Sequence, residues 1–233
     1  MEQTLKITNV LSDPTRYYIY QYIIKRKEDV TVQEIADSFD IHPNVARLHL
    51  TKLEDVNMLV SETKKTGKGG RPSRLYKLSD DLIQLNFPFR DYQLLAKITI
   101  ETMASLGEIG RKALEETGKK FGEELIRHHL PASANSVHDL TFEQKLDILK
   151  AASTLAGFYP ELSFNQDKTK VFLEINNCPF KEIAKENFEA VCGMHYSFLN
   201  GMFDLLFDDV ELQEADNMML GCESCRYKAF VAK

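Results

Sequence analysis

All four cysteines of this chain fall between positions 178 and 225, and none precedes them. They read Cys178-x13-Cys192-x29-Cys222-x2-Cys225. A Cys-x2-Cys pair puts two sulfurs within one turn, close enough to share a metal, and two more distant thiolates complete a set of four. Thiolate is a soft donor, so the pattern suits zinc or an iron–sulfur cluster, not magnesium or calcium. Dithiol redox chemistry at Cys222 and Cys225 is the weaker reading, because no helix N-terminus is evident to acidify the first thiol. His195, three residues after Cys192, is either an alternative ligand or a histidine outside the ligand set.

Those sulfurs need a folded frame. Residues 161–165 and 170–176 carry the composition of paired strands, with Asp167 and Lys168 near the turn. Cys178 leaves the end of the second strand. A long helix from Ile183 to Phe207 holds Cys192 and His195 at i, i+3 on one face. Cys222 and Cys225 share a turn that leads into a last strand, Arg226 to Val231. Ligands from three separate elements converge only after the domain has folded, unlike a zinc ribbon whose knuckles build the fold. Upstream, a helix over 141–156 turns Leu146, Ile148, Leu149 and Leu155 inward, and 89–129 forms one or two long helices. The central helices are expected to pair two copies of the chain, and the stretch from Pro131 to Ser136 loses periodicity and reads as a linker.

Charge divides the chain. Its net charge is −6, but residues 1–79 carry 13 Lys and Arg against 10 Asp and Glu, and the remainder is acidic. A basic N-terminal part beside an acidic remainder points to a polyanionic partner for the former. No run of about 18 apolar residues exists to span a membrane. The N-terminus lacks the features of a signal peptide. A cytoplasmic, reducing location is therefore expected, and it disfavours disulfides.

The basic part has its own plan. Pro14 opens a helix capped by Ser12 or Asp13, and Thr31 with Glu34 forms a capping box over a short helix, Val32 to Phe39. A tight turn at 40–42 precedes a further helix, with Val45, Leu48, Leu50 and Leu53 inward and Asn44, Arg47, His49 and Lys52 left for an outward face. Two short helices joined this way make a helix-turn-helix, whose second helix enters the major groove. Residues 59–78 then read as a hairpin with a glycine-rich tip carrying Lys64, Lys65, Lys68, Arg71 and Arg74, a wing suited to phosphates.

The segments LSDPTR (11–16), VTVQEIADSFDIHPNVARLHLTKLE (30–54) and GGRPSRLYKLS (69–79) resemble bacterial winged-helix repressors of the arsenic-repressor-like superfamily. That resemblance implies DNA contact by Asn44, Arg47, His49 and Lys52 on the recognition helix and by Arg71 and Arg74 on the wing. The segments CPF (178–180), VCGMH (191–195), NG (200–201) and GCESCRYKAF (221–230) are similar to the C-terminal domain of the Suf-type iron–sulfur repressors. This second resemblance implies a homodimer with one [4Fe–4S] cluster per subunit, held by three or four of Cys178, Cys192, Cys222 and Cys225. A more distant resemblance to the vinyl-reductase-like ligand-sensing domain implies zinc at the cysteines and a small-molecule pocket. Phe158, Tyr159, Phe164, Phe172, Phe188, Tyr196, Phe198 and Phe203 are the candidates to line it.

No nucleophile–base pair, phosphate loop or paired-carboxylate arrangement supports an enzyme. The expected architecture is α+β. A winged helix-turn-helix occupies 1–80, a helical dimerisation region 81–135, and an α+β domain with the cysteine metal site 136–233. The expected partners are double-stranded DNA with a palindromic operator and a second copy of the chain.

Overall fold

A computed structural model describes residues 2–26, 28–64, 73–81, 83, 85, 88, 90–131 and 136–231. Lys68 and Arg71, expected on the wing tip, lie outside the described residues, as does most of the expected linker. The chain forms two units, Met1–Arg90 and Asp91–Lys233. The boundary near residue 90 places the expected central helices with the C-terminal unit.

The first unit opens with α1 (Glu2–Leu11) and α2 (Pro14–Lys25). Pro14 takes the first helical position, where its missing N–H costs nothing, and Asp13 accepts a bond from the Arg16 N–H. Strand β1 (Val30–Thr31) leads into α3 (Val32–Phe39). Thr31 caps α3 by accepting from the Glu34 N–H at 3.1 Å, but the Glu34 carboxylate pairs with Arg26. Only half of the expected capping box forms. Helix α4 (Pro43–Glu54) follows a turn in which Asp40 adopts the left-handed conformation. Strands β2 (Leu59–Lys64) and β3 (Ser73–Leu78) make the wing hairpin, and β1 pairs with β3 to give the order β1-β3-β2. Ile19, Ile35, Leu50, Leu53, Leu59 and Tyr76 close the core beneath them.

The second unit starts with α5 (Tyr92–Ser105) and α6 (Glu108–His129), separated at Gly107, whose φ of +62° only glycine adopts at little cost. Helix α7 (Phe142–Leu155) has a full capping box between Thr141 and Gln144. It buries Leu146 and Leu149 as expected, but its last turn leaves Leu155 in solvent. Strands β4 (Pro160–Phe164) and β5 (Lys170–Ile175) form the expected hairpin. The long helix expected after Cys178 is two, α8 (Lys181–Glu186) and α9 (Phe188–Leu206), broken at Asn187. Strands β6 (Glu211–Asp216) and β7 (Cys225–Phe230) complete an antiparallel sheet in the order β4-β5-β7-β6.

Helices α6 and α9 approach until their backbones nearly touch. A Cβ on Gly122 would fall 1.9 Å from the Phe198 carbonyl oxygen, and one on Gly201 would fall 2.1 Å from that of Lys119. Ile126 of α6 and Leu199, Met202, Phe203 and Leu206 of α9 join the core beneath the sheet with Leu149, Phe158 and Leu173. The helix carrying Cys192 is thereby locked to α6, which follows α5 directly. Among the described residues no helix is long and apolar enough to cross a membrane.

Candidate nucleic-acid interface and thiol centre

Helix α4 begins with His42, whose Nδ1 accepts from the Asn44 N–H at 3.2 Å, and with Pro43 inside the first turn. Its inward stripe is Ala46, His49, Leu50 and Leu53, all buried. The outward stripe holds Asn44, Val45, Arg47, Leu48 and Lys52. Arg47 Nη1 donates to Asn44 Oδ1 at 3.4 Å, so two of the expected DNA-contacting side chains lie together on one turn.

Two expected contacts change role. His49 is 7% exposed and faces the core, where burial lowers its pKa against the opposing charge of Asp13. The helical phase explains this. Positions 46, 49–50 and 53 recur at three to four residues and form the buried seam, which turns Val45 and Leu48 outward. Arg74, expected to face phosphates from the wing, donates from Nη2 to both Glu54 carboxylate oxygens at 2.8 and 2.9 Å and from Nε to Ser61 at 2.7 Å. It braces the wing strands against the last turn of the recognition helix, and its charge is answered within the unit. Glu54 and Ser61, not singled out from the sequence, complete that brace.

The family comparison decides what this arrangement is. Residues 11–62 match a family model described as a helix-turn-helix domain. Residues 11–62 are a helix-turn-helix domain. Its helices are α2, α3 and α4, and the β2–β3 hairpin directly after α4 is its wing. With that domain the chain carries the DNA-binding part of a transcription regulator. No curated protein matches the chain.

Solved structures overlap it partially. The phenol-responsive sensory domain of the transcription activator PoxR, with phenol, shares 16% identity, covering 79% of this chain and 89% of that one, at a TM-score of 0.47. A trafficking protein particle complex subunit 3 from Naegleria fowleri, covalently bound to palmitic acid, shares 16% identity over 60% of this chain and 97% of that one, at 0.42. Bacillus subtilis PadR in complex with operator DNA shares 16% identity over 62% and 92%, at 0.25. These scores describe partial overlap of chain traces and carry no assignment.

In the unit that follows the helix-turn-helix domain, Cys178 lies beyond the end of β5, Cys192 on α9, and Cys225 at the start of β7. Burial raises all three thiols, Cys178 to about 11; the charges of Cys225 and Cys192 raise Cys178 further, that of Cys225 raises Cys192, and those of Glu214 and Cys222 raise Cys225. Three sulfurs from three elements therefore lie within reach of one another's charge. Glu214 adds negative charge to Cys192 and Cys225. Opposing it among the described residues are hydrogen bonds: the Phe180 N–H to Cys178, Asn217 to Cys192, and the Tyr227 side chain and the Met218 N–H, the latter at 3.3 Å, to Cys225. Cys222 differs. It is exposed, and its Sγ donates to Asp216 Oδ1 at 3.8 Å. Among the described residues no three of these groups close to coordination distance. The donor set nonetheless suits a thiophilic cation in its chemistry, with buried Cys178 and Cys225, half-buried Cys192 and the Glu214 carboxylate beside them. Glu214 was missed because a lone carboxylate in a strand carries no spacing signal.

His195 sits apart from those charges. It is 4% exposed, and its ring lies against Phe158, Phe180 and Phe198 at centroid distances of 5.0, 5.4 and 6.5 Å. Burial alone pushes its pKa down to about 4, and Nε2 finds no hydrogen-bond partner among the described residues. The neutral form is the folded form. The unfolded chain takes up the proton first, so the stability tied to His195 is complete above pH 6.5 and drains away as pH falls toward 4. That loss is about 3 kcal/mol by pH 4. We expect acid melting curves of His195→Phe to lack this slope. An unchanged slope would show that the histidine does not carry it. The eight aromatic residues expected around one pocket do not share one, since Phe158 and Phe203 are core while Phe164, Phe172 and Phe188 are exposed.

Proposed function

We propose that the chain is a winged helix-turn-helix transcription regulator, not an enzyme, whose operator affinity is set by a thiolate-held metal centre in its second unit. The observation that carries this reading is that Cys178, Cys192 and Cys225, from three elements, lie buried or half-buried within reach of one another's charge, beside Glu214. Those three residues would hold the group, with Glu214 or Cys222 as a fourth donor. When bound, the group supplies the positive charge that keeps buried thiolates ionised. The favoured occupant is a [4Fe–4S] cluster, on the resemblance of the cysteine-bearing segments. Zinc is the alternative.

The chain's own residues supply the route to DNA. Cys192 rides on α9, and α9 is locked to α6 through Gly122 and Gly201. Helix α5, joined to α6 at Gly107, leaves Tyr92, Leu94, Leu95 and Ile98 each more than half exposed and buries none of its residues. An apolar helix left uncovered is what a second copy would cover, which supports a homodimer reading a palindromic operator. A shift of α9 then changes how two copies of α5 pack, and with it the spacing of the two recognition helices. The coupling works in both directions, so DNA must also favour one state of the thiol centre.

Anaerobically purified protein tests this. Brown protein with iron and sulfide is expected, and colourless protein with zinc would select the alternative. Removing the metal is expected to change affinity for a selected duplex by about tenfold or more, within the usual range of allosteric coupling. Equal affinity of loaded and stripped protein would sink metal control and leave a constitutive regulator.

A further inference from the structure

The outward face of α4 contains a feature that phosphate binding does not use. Val45 is 41% exposed and Leu48 54% exposed, on a helix whose other face is fully packed by Ala46, His49, Leu50 and Leu53. They are three residues apart, so their side chains neighbour each other across one turn. Asn44, Arg47 and Lys52 surround them with amide and positive charge. Two neighbouring aliphatic side chains left in water on the face of α4 that a major groove would meet forgo the burial that stabilises Ala46, Leu50 and Leu53 on its other face.

The recognition helix of a helix-turn-helix domain meets base edges in the major groove chiefly with its N-terminal residues. Val45 is the third residue of α4 and Leu48 lies one turn further on. In that groove the one apolar mark on any base pair is the thymine 5-methyl group, which neither cytosine, guanine nor adenine presents. Positive and amide groups that pair with phosphates and purines flank an apolar pair that has nothing polar to offer. We propose that Val45 and Leu48 are specificity determinants that read thymine 5-methyl groups in the major groove. The inference rests on the DNA-binding reading of α4 and adds the base class that this helix selects. Asn44 and Arg47 then position and read the neighbouring polar edges, and the aliphatic pair makes thymine preferable to cytosine where it docks.

Deoxyuridine isolates this contact, because it keeps every hydrogen-bonding edge of thymidine and lacks only the methyl. Duplexes enriched by the full chain from a random-sequence pool supply the probe, and each thymine is then replaced singly by deoxyuridine. Affinity is expected to fall about fourfold or more at one or two positions per half-site, the effect of one methyl leaving an apolar contact. In Leu48→Ala and Val45→Ala, both exposed and helix-compatible, the same replacement is expected to cost less than about twofold. Tight selective binding that tolerates deoxyuridine everywhere would overturn the inference and leave the regulator reading standing. So would loss of dimer in Leu48→Ala with thymine discrimination intact, which would reassign the pair to a protein interface. Failure of the full chain to enrich any duplex would overturn the DNA-binding reading, and the inference with it.

Discussion

Gly122→Ala is expected to lower the melting temperature of the second unit by about 5–10 °C, while Gly193→Ala leaves it unchanged or slightly higher. Both glycines lie in the α6–α9 pair, and both gain about 1 kcal/mol of helix propensity on becoming alanine. Their surroundings differ. The new Cβ at 122 would stand 1.9 Å from the backbone oxygen of Phe198, and a backbone atom inside a packed helix cannot yield alone. The helices must separate, which opens the core around Ile126, Leu199 and Met202. Overpacking of this kind costs about 1–3 kcal/mol and more where backbones meet, which outweighs the propensity gain. At 193 the nearest atom is Glu115 Oε1 at 3.1 Å, the end of a flexible side chain that can swing aside. A thermal melt of the two variants side by side checks this, and equal melting temperatures would show that the helices are not held by backbone contact. Under the proposed mechanism Gly122→Ala also uncouples the thiol centre from DNA affinity before it unfolds the unit.

The second large effect is in metal loading against pH. Cys178, Cys192 and Cys225 are raised above the ordinary thiol range, chiefly by burial, so all three are protonated near neutrality. Each must lose its proton to become a ligand, and loading therefore competes with protons. Below the thiol pKa values the affinity for zinc, used as a probe, should rise about tenfold per pH unit for each thiol that joins. Three thiols give about a thousandfold per unit, measured by competition with a chelator of known pH dependence. Cys192→Ser or Cys225→Ser should cut the slope to two protons and weaken loading by orders of magnitude. Cys222→Ser should leave it at three, because the exposed thiol stands at the margin of the locality. A slope of four in the parent that falls to three in Cys222→Ser would instead place all four cysteines in the set.

Local signals were legible wherever a residue acts through its neighbours in the chain. Pro14 at a helix start, Thr31 at a cap, and the strand pair around Asp167 all appear where spacing and turn chemistry put them. The helical phase of α4 was harder. Val45 and Leu48 fit an inward stripe as well by composition as Ala46 and His49, and only the placement of α2, α3 and the wing against α4 selects one face. The same holds for Arg74, whose charge suited phosphate until the register of β2 with β3 brought it to Glu54 and Ser61. Gly118, Gly122 and Gly201 carry no local sign of a partner helix. Only the pairing of α6 with α9 shows that close packing is their use.

Residue order alone determined that a basic helix-turn-helix precedes an acidic α+β unit with sulfur confined to its end, because caps, periodicity and charge act over a few residues. Tertiary structure decided which side chains of that plan face outward or meet. It buried His49 and His195, exposed Val45 and Leu48, paired Arg74 with Glu54, and set Cys178, Cys192 and Cys225 within reach of one another's charge while leaving Cys222 exposed. The physical reason is common to all of these. Burial and proximity are set by whichever distant segment packs against a residue, and no pattern within a few positions of that residue encodes its partner.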